Sequence, residues 1–421
     1  MSGSGNGVVV VTLPWLALER TGSAATAGVV AAATALPLLA SALLAGSIVD
    51  RIGRRRAAII ADVLSGIAVA LVPIVDHLFG LDLGWLILLA VIGATFDPMG
   101  LSGREAMLPD VAAAAGMKLE RVNGIHEAVW GVAFLVGPGV GGILIATVGA
   151  VDAMWAAAVG FTASALLVWC IRLASLLRPA PLPASGTAGR RGSIWRETAD
   201  GIALVWNDRL LRAVGLLSLG MLATYLPLEG VLFPAYFEEQ DAPERLGLLI
   251  MAMSAGGIIG ALTYSARGDR VGRRITFVTA LVVSGLAIGV MALLPPFPVL
   301  LLAGFVVGLA YGPINPLVNL AIQTRAPEHA RGRVTGLLNS TGDAAGPAGF
   351  LLVGPLIEWV GIQSTMVAVA LVVLAVALSS IPSRGLRTFD DGPAVLRGPD
   401  HDGGPVPTGE PAPMPDDPVT R

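Results

Sequence analysis

The chain is poor in the residues that most catalytic and metal-binding sites use. It contains a single cysteine, Cys170, so no intramolecular disulfide can form. Its four histidines are scattered without metal-ligand spacing, and no glycine-rich loop ends in Gly-Lys-Ser/Thr, the pattern of ATP-hydrolysing P-loops. Only 14% of the residues are charged, against about 25% in soluble proteins. These shortages predict a protein that is not an enzyme, holds no metal or cofactor and binds no nucleic acid.

What the chain has in abundance is apolar sequence. Hydrophobic residues make up 54% of it, and the mean hydropathy is +0.76. Apolar runs of about 20 residues are typical of membrane helices. We therefore predict an all-α polytopic membrane protein, whose helices after the first cover residues 24–49, 57–79, 84–105, 122–148, 152–175, 209–237, 246–266, 275–294, 297–324, 334–356 and 362–382.

The first apolar run, residues 8–18, is too short to cross a bilayer. We therefore expect a first helix that is truncated relative to the others, with the chain beginning partway along it. Of the two explanations, a misassigned start and a helix that lacks its cytoplasmic half, we favour the first.

Composition divides the chain into four parts. Residues 1–176 and 209–382 each hold six predicted helices, and 177–208 form a Pro-, Gly- and Arg-rich cytoplasmic linker. The Pro-, Gly- and Asp-rich tail, 383–421, is expected to be disordered. Twelve spans place only Arg20 and Arg245 of the 27 basic residues on one face, so the opposite face and both termini are predicted to be cytoplasmic, with the chain in a bacterial inner membrane.

Two copies of one unit make up the chain. The string D-R-I-G-R-R-R at 50–56 returns 219 positions later as D-R-V-G-R-R, and Asp97-Pro98 returns as Asn315-Pro316. Parallel repeats of this kind are a signature of secondary transporters, with the pathway between the halves.

These strings resemble those of the major facilitator superfamily. Residues 46–56 are similar to its loop 2–3 signature, 269–274 to the second-half echo, and 137–142 to the helix-5 motif of its drug exporters. The strings P-W-L-A-L-E-R (14–20), Y-L-P-L-E-G-V-L-F-P (225–234) and G-L-A-Y-G-P-I-N-P (308–316) further resemble Tap-like multidrug exporters.

The resemblance implies a major facilitator fold of 6+6 helices and proton-coupled multidrug efflux by alternating access. The energy source would be the proton gradient, the substrate an amphipathic or cationic drug, and the carrier a monomer in the bilayer. Export of a siderophore or another endogenous metabolite, and an uptake carrier, stay open. The implied gating residues are Gly46, Asp50, Arg51, Gly53, Arg54, Asp269, Arg270 and Gly272, and the helix-5 motif residues are Gly137, Pro138, Gly141 and Gly142. Asp50 is expected to face the N-terminal end of helix 11.

Ionisable groups in membrane helices are costly and are therefore candidates for function. Asp97 lies about 10 Å from Arg104 and 18 Å from Trp85 along an ideal helix, near mid-membrane. It can exchange a proton or pair with a cationic drug, or it can be the N-cap of a helix broken at Pro98. Asn315 would cap the corresponding helix without a charge.

The remaining ionisable candidates are Asp343, Glu229 and the pair His126 and Glu127. Asp343 lies about 15 Å into helix 11. It either titrates or hydrogen-bonds a neighbouring helix. Glu229 belongs to the outer leaflet, as a proton or substrate group or as a gate contact. The aromatic candidates for a drug cavity are Trp130, Phe134, Tyr225 and Tyr311, with Asn315 beside them, although such side chains also pack between helices.

Overall fold

The computed structural model describes residues 1–171, 202–267, 271–327 and 331–390. The first half contains six helices: α1 (Ser2–Thr21), α2 (Ala24–Ile52), α3 (Arg54–Phe79), α4 (Leu83–Ala115), α5 (Leu119–Val148) and α6 (Ala150–Cys170). The second half contains α7 (Arg209–Pro227), a π-helical segment (Leu228–Leu232), α8 (Phe233–Glu238), α9 (Pro243–Arg267), α10 (Arg273–Ala292), α11 (Phe297–Tyr311), α12 (Ile314–Arg325), α13 (Arg331–Val360), α14 (Ile362–Ser379) and α15 (Arg384–Arg387).

Nine helical units in the described residues are long and apolar enough to cross a membrane. One of them runs through α7, the π-helical segment and α8, and another through α11 and α12. The described residues contain no strand. The all-α, multi-pass membrane architecture is therefore confirmed, whereas crossing by all twelve predicted spans stays a prediction.

Glycine makes the tight connections between consecutive helices. Gly53 joins α2 to α3 at φ 87°, which explains the glycine in the loop signature, because other residues rarely adopt that backbone conformation. Gly149 joins α5 to α6, and Gly361 joins α13 to α14, at φ 87° and 84°. Gly149 and Gly361 thus connect the last two helices of each half in the same way, as expected for a repeated unit. We call the end of the bundle that carries residues 50–56 the loop end, and the end that carries Gly149 and Gly361 the far end.

Helix α1 extends toward the far end. Its first turn contacts the middle of α5, because a Cβ on Gly3 would lie 3.1 Å from both Trp130 and Ala133. Its last turn carries Arg20, which pairs with Asp76 near the far end of α3 at 2.8 Å. The helix begins at Ser2, ahead of the apolar run, and its 20 residues equal those of α10 and exceed the 18 of α14. A truncated first helix therefore stays a prediction.

The segment after α14 differs from the expected disordered tail over its first residues. Helix α15 follows Ser383, and Leu386 and Phe389 are 0% and 2% exposed. The ring of Phe389 packs on Phe277 of α10 with centroids 6.1 Å apart. Residues 391–421, and 177–201 of the predicted linker, lie outside the described residues.

Candidate functional site

Asp97 lies within a continuous helix and therefore caps nothing. Helix α4 runs unbroken from Leu83 to Ala115 with Pro98 inside it, so the N-cap interpretation of Asp97 is wrong. The Ser65 hydroxyl of α3 donates a hydrogen bond of 3.3 Å to the Asp97 carboxyl, and the Asn6 side chain of α1 faces the same group. Three helices of the first half thus meet at this carboxyl.

A buried ion pair adjoins Asp97. Arg104 donates to the Asp62 carboxylate at 2.7 Å, and the Asp62 side chain is only 2% exposed. The second Asp62 oxygen is buried and has no partner among the described residues. Asp62 therefore ties α3 to α4. Asp62, Asp97 and Arg104, which we call the acid cluster, combine two carboxyl groups with one guanidinium group.

Arg104 is the functional candidate that sequence reasoning missed. It was expected at the end of helix 4, but α4 continues to Ala115, and the Arg104 guanidinium folds back beside Gly100. The signal was present in the sequence, because Asp97 and Arg104 are seven residues apart and so share one face of a helix.

Glu229 lies in the π-helical segment between α7 and α8, where the two halves meet. Short π segments within α-helices are frequent at functional sites. This segment packs against α1 and α2 of the first half and against α13 and α14 of the second. A Cβ on Gly230 would lie 2.8 Å from the Phe350 ring, which shows how tightly α13 covers the segment. Glu229 is thus placed at the interface of the halves, at the far-end side of the bundle.

Two tyrosines accompany Glu229. Tyr225 of α7 stacks on Tyr311 of α11 with ring centroids 5.3 Å apart and planes inclined by 11°. Glu229 follows Tyr225 by four residues, and the two side chains interact electrostatically. The Glu229 carboxyl has no hydrogen bond or ion pair with any side chain that the structure describes. The tyrosine pair and Glu229 form what we call the aromatic–acid site.

The other candidates are distributed around the bundle. Trp130 and Phe134 contact each other on α5 with ring centroids 5.3 Å apart and planes inclined by 45°, and Trp130 covers the start of α1. His126 is half-buried and Glu127 exposed near the loop end of α5. Asp343 belongs to α13, but its side chain lies outside the described residues, so its role stays a prediction.

Asn315 does not cap the helix that breaks near it. The interruption of this span falls between Tyr311 and Ile314, and Pro313 occupies the N-cap position of α12 without a side-chain cap. Asn315 is the second residue of α12, and its side chain is exposed. The capping interpretation is therefore wrong for Asn315 as well, and only the second-half copy of this repeat has a broken helix.

The signature loop binds its own half. Arg54 pairs with Asp110 at 2.5 Å and donates to the Ala106 carbonyl at 2.8 Å, both near the loop end of α4. Asp50 is exposed. The side chains of 331–333, which begin α13, are not described, so the contact of Asp50 with that helix end stays a prediction.

The second-half copy of the loop is only partly visible. Asp269 and Arg270 lie outside the described residues. Gly272 is the N-cap of α10, and the carboxylate of Asp390 accepts a hydrogen bond of 2.7 Å from the Arg273 N–H in the first turn of that helix. The segment after α14 thus closes onto the second signature.

The two halves pack closely at the far end. A Cβ on Gly354 of α13 would lie 2.5 Å from the Ala24 carbonyl of α2, and Phe350 of α13 abuts Gly28 of α2. The Glu358 carboxylate of α13 accepts hydrogen bonds from the Ser23 hydroxyl at 2.5 Å and from the Ala25 N–H at 3.1 Å. The start of α2 is therefore latched to the end of α13.

The helix-5 motif forms the second seam between the halves. A Cβ on Gly142 would lie 2.5 Å from the Pro243 carbonyl of α9, whereas Gly137 and Gly141 face Gly7 and Val8 of α1. The Pro138 carbonyl lies against Gly247 of α9. Glycine allows such backbone approach because it has no side chain. The motif thus holds α5 against α1 on one face and α9 on another.

We expect Gly142→Ala to destabilise the protein by about 1–3 kcal/mol, because the added methyl group has no space against α9. Thermal unfolding of the purified protein in detergent measures the loss. Gly124 on the same helix has nothing within 4 Å of its Cβ position, so Gly124→Ala is the matched control and is expected to be neutral or stabilising. Equal effects of the two substitutions would contradict the close seam.

Comparisons with known proteins agree with this architecture. The family model described as Major Facilitator Superfamily matches residues 1–262 and 230–394. The multidrug efflux pump Tap of Mycobacterium tuberculosis is 45% identical over 396 residues, which cover 93% of each chain. Tap of Mycolicibacterium fortuitum is 41% identical, over 92% of this chain and 94% of its own.

A solved structure supports the fold. The nucleoside transporter NupG matches with a TM-score of 0.69 at 15% identity, over 90% of this chain and 95% of its own. Together with the helical architecture and the family match over both halves, these comparisons show that the chain is a multi-pass membrane transporter, not an enzyme, and that it belongs to the Major Facilitator Superfamily.

Proposed function

We propose that this protein exports amphipathic and cationic drugs across the bacterial inner membrane in exchange for protons. The carrying observation is that Glu229, beside the stacked tyrosines at the junction of the halves, has no partner among the described side chains. Glu229 is half-buried, and a carboxylate withdrawn from water without a partner is costly. A bound organic cation would reduce that cost by pairing with the carboxylate.

The aromatic–acid site suits an organic cation. A carboxylate supplies the charge, while aromatic faces attract a cation and provide flat apolar surface for a planar substrate. The amphipathic drugs that the relatives named Tap suggest have this combination of charge and apolar area. We assign substrate binding to Glu229, Tyr225 and Tyr311.

The acid cluster suits a proton. The Arg104 guanidinium balances Asp62, so the charged form of Asp97 gives the cluster a net charge of −1 and a proton on it gives neutrality. Asp97 is held by Ser65 and Asn6 within one half, away from the seams. We assign proton exchange to Asp97, with Asp343 as a second candidate from its position in α13.

Alternating access connects the two sites. The latch of Glu358 with Ser23 and the glycine seams close the far end in this structure, which supports an arrangement in which the substrate enters from the loop end. The arginine bias predicts that the loop end and both termini are cytoplasmic. Opening the far end would then release the drug outward, and a proton taken up there would reset the monomeric carrier.

The test is drug-driven proton release from acid-loaded inverted membrane vesicles, read with a pH-gradient dye. We expect wild-type vesicles to lose their gradient when a cationic drug is added. Asp97→Asn is expected to abolish this response while leaving drug binding to the purified protein within about threefold, because the amide keeps the hydrogen bonds but cannot titrate. Asp343→Asn is measured beside it.

The outcomes separate the alternatives. A full response in Asp97→Asn and none in Asp343→Asn would move the proton to α13. The absence of a response to cationic, neutral and zwitterionic drugs in wild-type vesicles would contradict multidrug antiport and favour an endogenous metabolite such as a siderophore. A response that requires drug inside, not outside, the inverted vesicles would indicate uptake.

A further inference from the structure

A basic cavity at the loop end of the second half is separate from the proposed transport sites. It has a volume of about 440 Å³ and is lined by Arg209 and Arg212 of α7 and by Arg384 of α15. This volume is within the range of small-molecule sites, about 300–1,000 Å³. The three guanidinium groups come from two segments that are far apart in the sequence, so the cavity depends on the docking of α15.

The docking is specific. A Cβ added to Gly385 would collide with the Arg209 carbonyl and would lie 2.9 Å from the Ala213 methyl group. Only a residue without a side chain can approach α7 in this way. The contact fixes Arg384 next to Arg209 and so concentrates positive charge.

Among the residues that the structure describes, no ion pair balances the charge of Arg209 and Arg384. Arg209 and Arg384 are exposed, and neither side chain has a hydrogen bond or ion pair with a described side chain. Arg212 is held by the Trp206 carbonyl at 2.8 Å and lies 5.9 Å from the Trp206 ring. Asp208, which precedes Arg209, is buried, and its carboxylate accepts the N–H groups of Leu210 and Leu211 in place of an arginine.

The cavity also has an apolar wall. Leu216 lines it and is 51% exposed, and Trp206, whose ring lies 5.9 Å from the Arg212 guanidinium, is 57% exposed. Exposed tryptophan and arginine are typical of the membrane–water boundary. Guanidinium groups bind phosphate through paired hydrogen bonds, and basic pockets at the cytoplasmic ends of membrane helices bind anionic head groups.

We propose that this cavity binds one anionic phospholipid, with its phosphate on Arg209 and Arg384 and its acyl chain along Leu216. A soluble anion would use the arginines but not the apolar wall. The bound lipid would join α7 to the segment after α14 and so stabilise the loop end of the second half.

The experiment is native mass spectrometry of the purified full-length protein with phosphatidylglycerol and with phosphatidylcholine of identical acyl chains. We expect the wild type to retain phosphatidylglycerol at least about tenfold more than phosphatidylcholine, and Arg209→Gln with Arg384→Gln to remove that preference. Arg121→Gln, an exposed arginine at the loop end of α5 and outside the cavity, is expected to leave it unchanged.

One further variant and one competition experiment complete the test. Leu216→Gln is expected to weaken lipid retention without changing the charge, and it decides the matter if the double variant does not yield monodisperse protein. Inorganic phosphate and glycerol 3-phosphate compete for the same arginines. Displacement of the lipid by either at equal concentration would identify a soluble anion. That result, or an unchanged preference in the double variant, would overturn the proposal.

Discussion

Glu229→Gln is expected to reduce transport of permanently cationic drugs at least about tenfold while leaving neutral drugs within about twofold. The glutamine keeps the size of the side chain but removes the charge that pairs with the substrate, and a desolvated ion pair is worth more than 1.4 kcal/mol, the equivalent of tenfold in affinity. The measurement is drug uptake into inverted vesicles under an imposed proton gradient, with one permanently charged and one uncharged drug of similar shape.

Two variants control this result. Glu105→Gln changes an exposed carboxylate on α4 and is expected to have no effect on either drug. Tyr225→Phe keeps the stacked ring beside Tyr311 and is expected to preserve cation transport. Equal losses for charged and neutral drugs in Glu229→Gln would mean that Glu229 supports the gate or the fold and does not recognise the substrate's charge.

Arg104→Gln is expected to lower the stability of the protein by about 3–5 kcal/mol, the usual cost of removing one partner of a buried ion pair. Asp62 is 2% exposed, and its second oxygen already has no partner among the described residues, so it would be left with an uncompensated charge. Thermal unfolding in detergent, followed by the fluorescence of tryptophan, measures the change.

The partner substitution distinguishes charge from packing. Asp62→Asn added to Arg104→Gln removes both charges, so we expect it to restore most of the lost stability. The restored variant then offers a test of the acid cluster, because Asp97 would have lost its nearby positive charge. If the second substitution added to the damage, packing of the arginine stem would be the main role of Arg104.

The helical architecture was predictable because apolar runs, glycine connections and a repeated signature are local features. The sequence also identified Asp97, Glu229, Tyr225 and Tyr311 one by one. It could not show that the last three meet, because the stacking of α7 on α11 joins residues more than 80 positions apart. It also could not show the π-helical turn at Glu229, which depends on packing against four other helices.

The two errors in helix α4 have one physical origin. Proline and charge were interpreted as signs of a helix end, which predicted a break at Pro98 and an end near Arg104. Neighbouring helices can satisfy the groups that such residues leave unpaired in a membrane, and here Ser65 and Asp62 do so for Asp97 and Arg104. The helix-end rules were developed for backbone exposed to water, and α4 packs against α2 and α3.

The segment after α14 holds together the loop ends of α10 and α12 in the second half. Asp390 holds the start of α10, the Thr388 carbonyl accepts a hydrogen bond from Arg325 of α12, and Phe389 is buried against α10. Helices that are joined at one end by several such contacts move together as a rigid group. We therefore expect the loop end of this half to move as a rigid body. The conformational change of a transport cycle would then occur mainly at the far end, where the glycine seams would open and close.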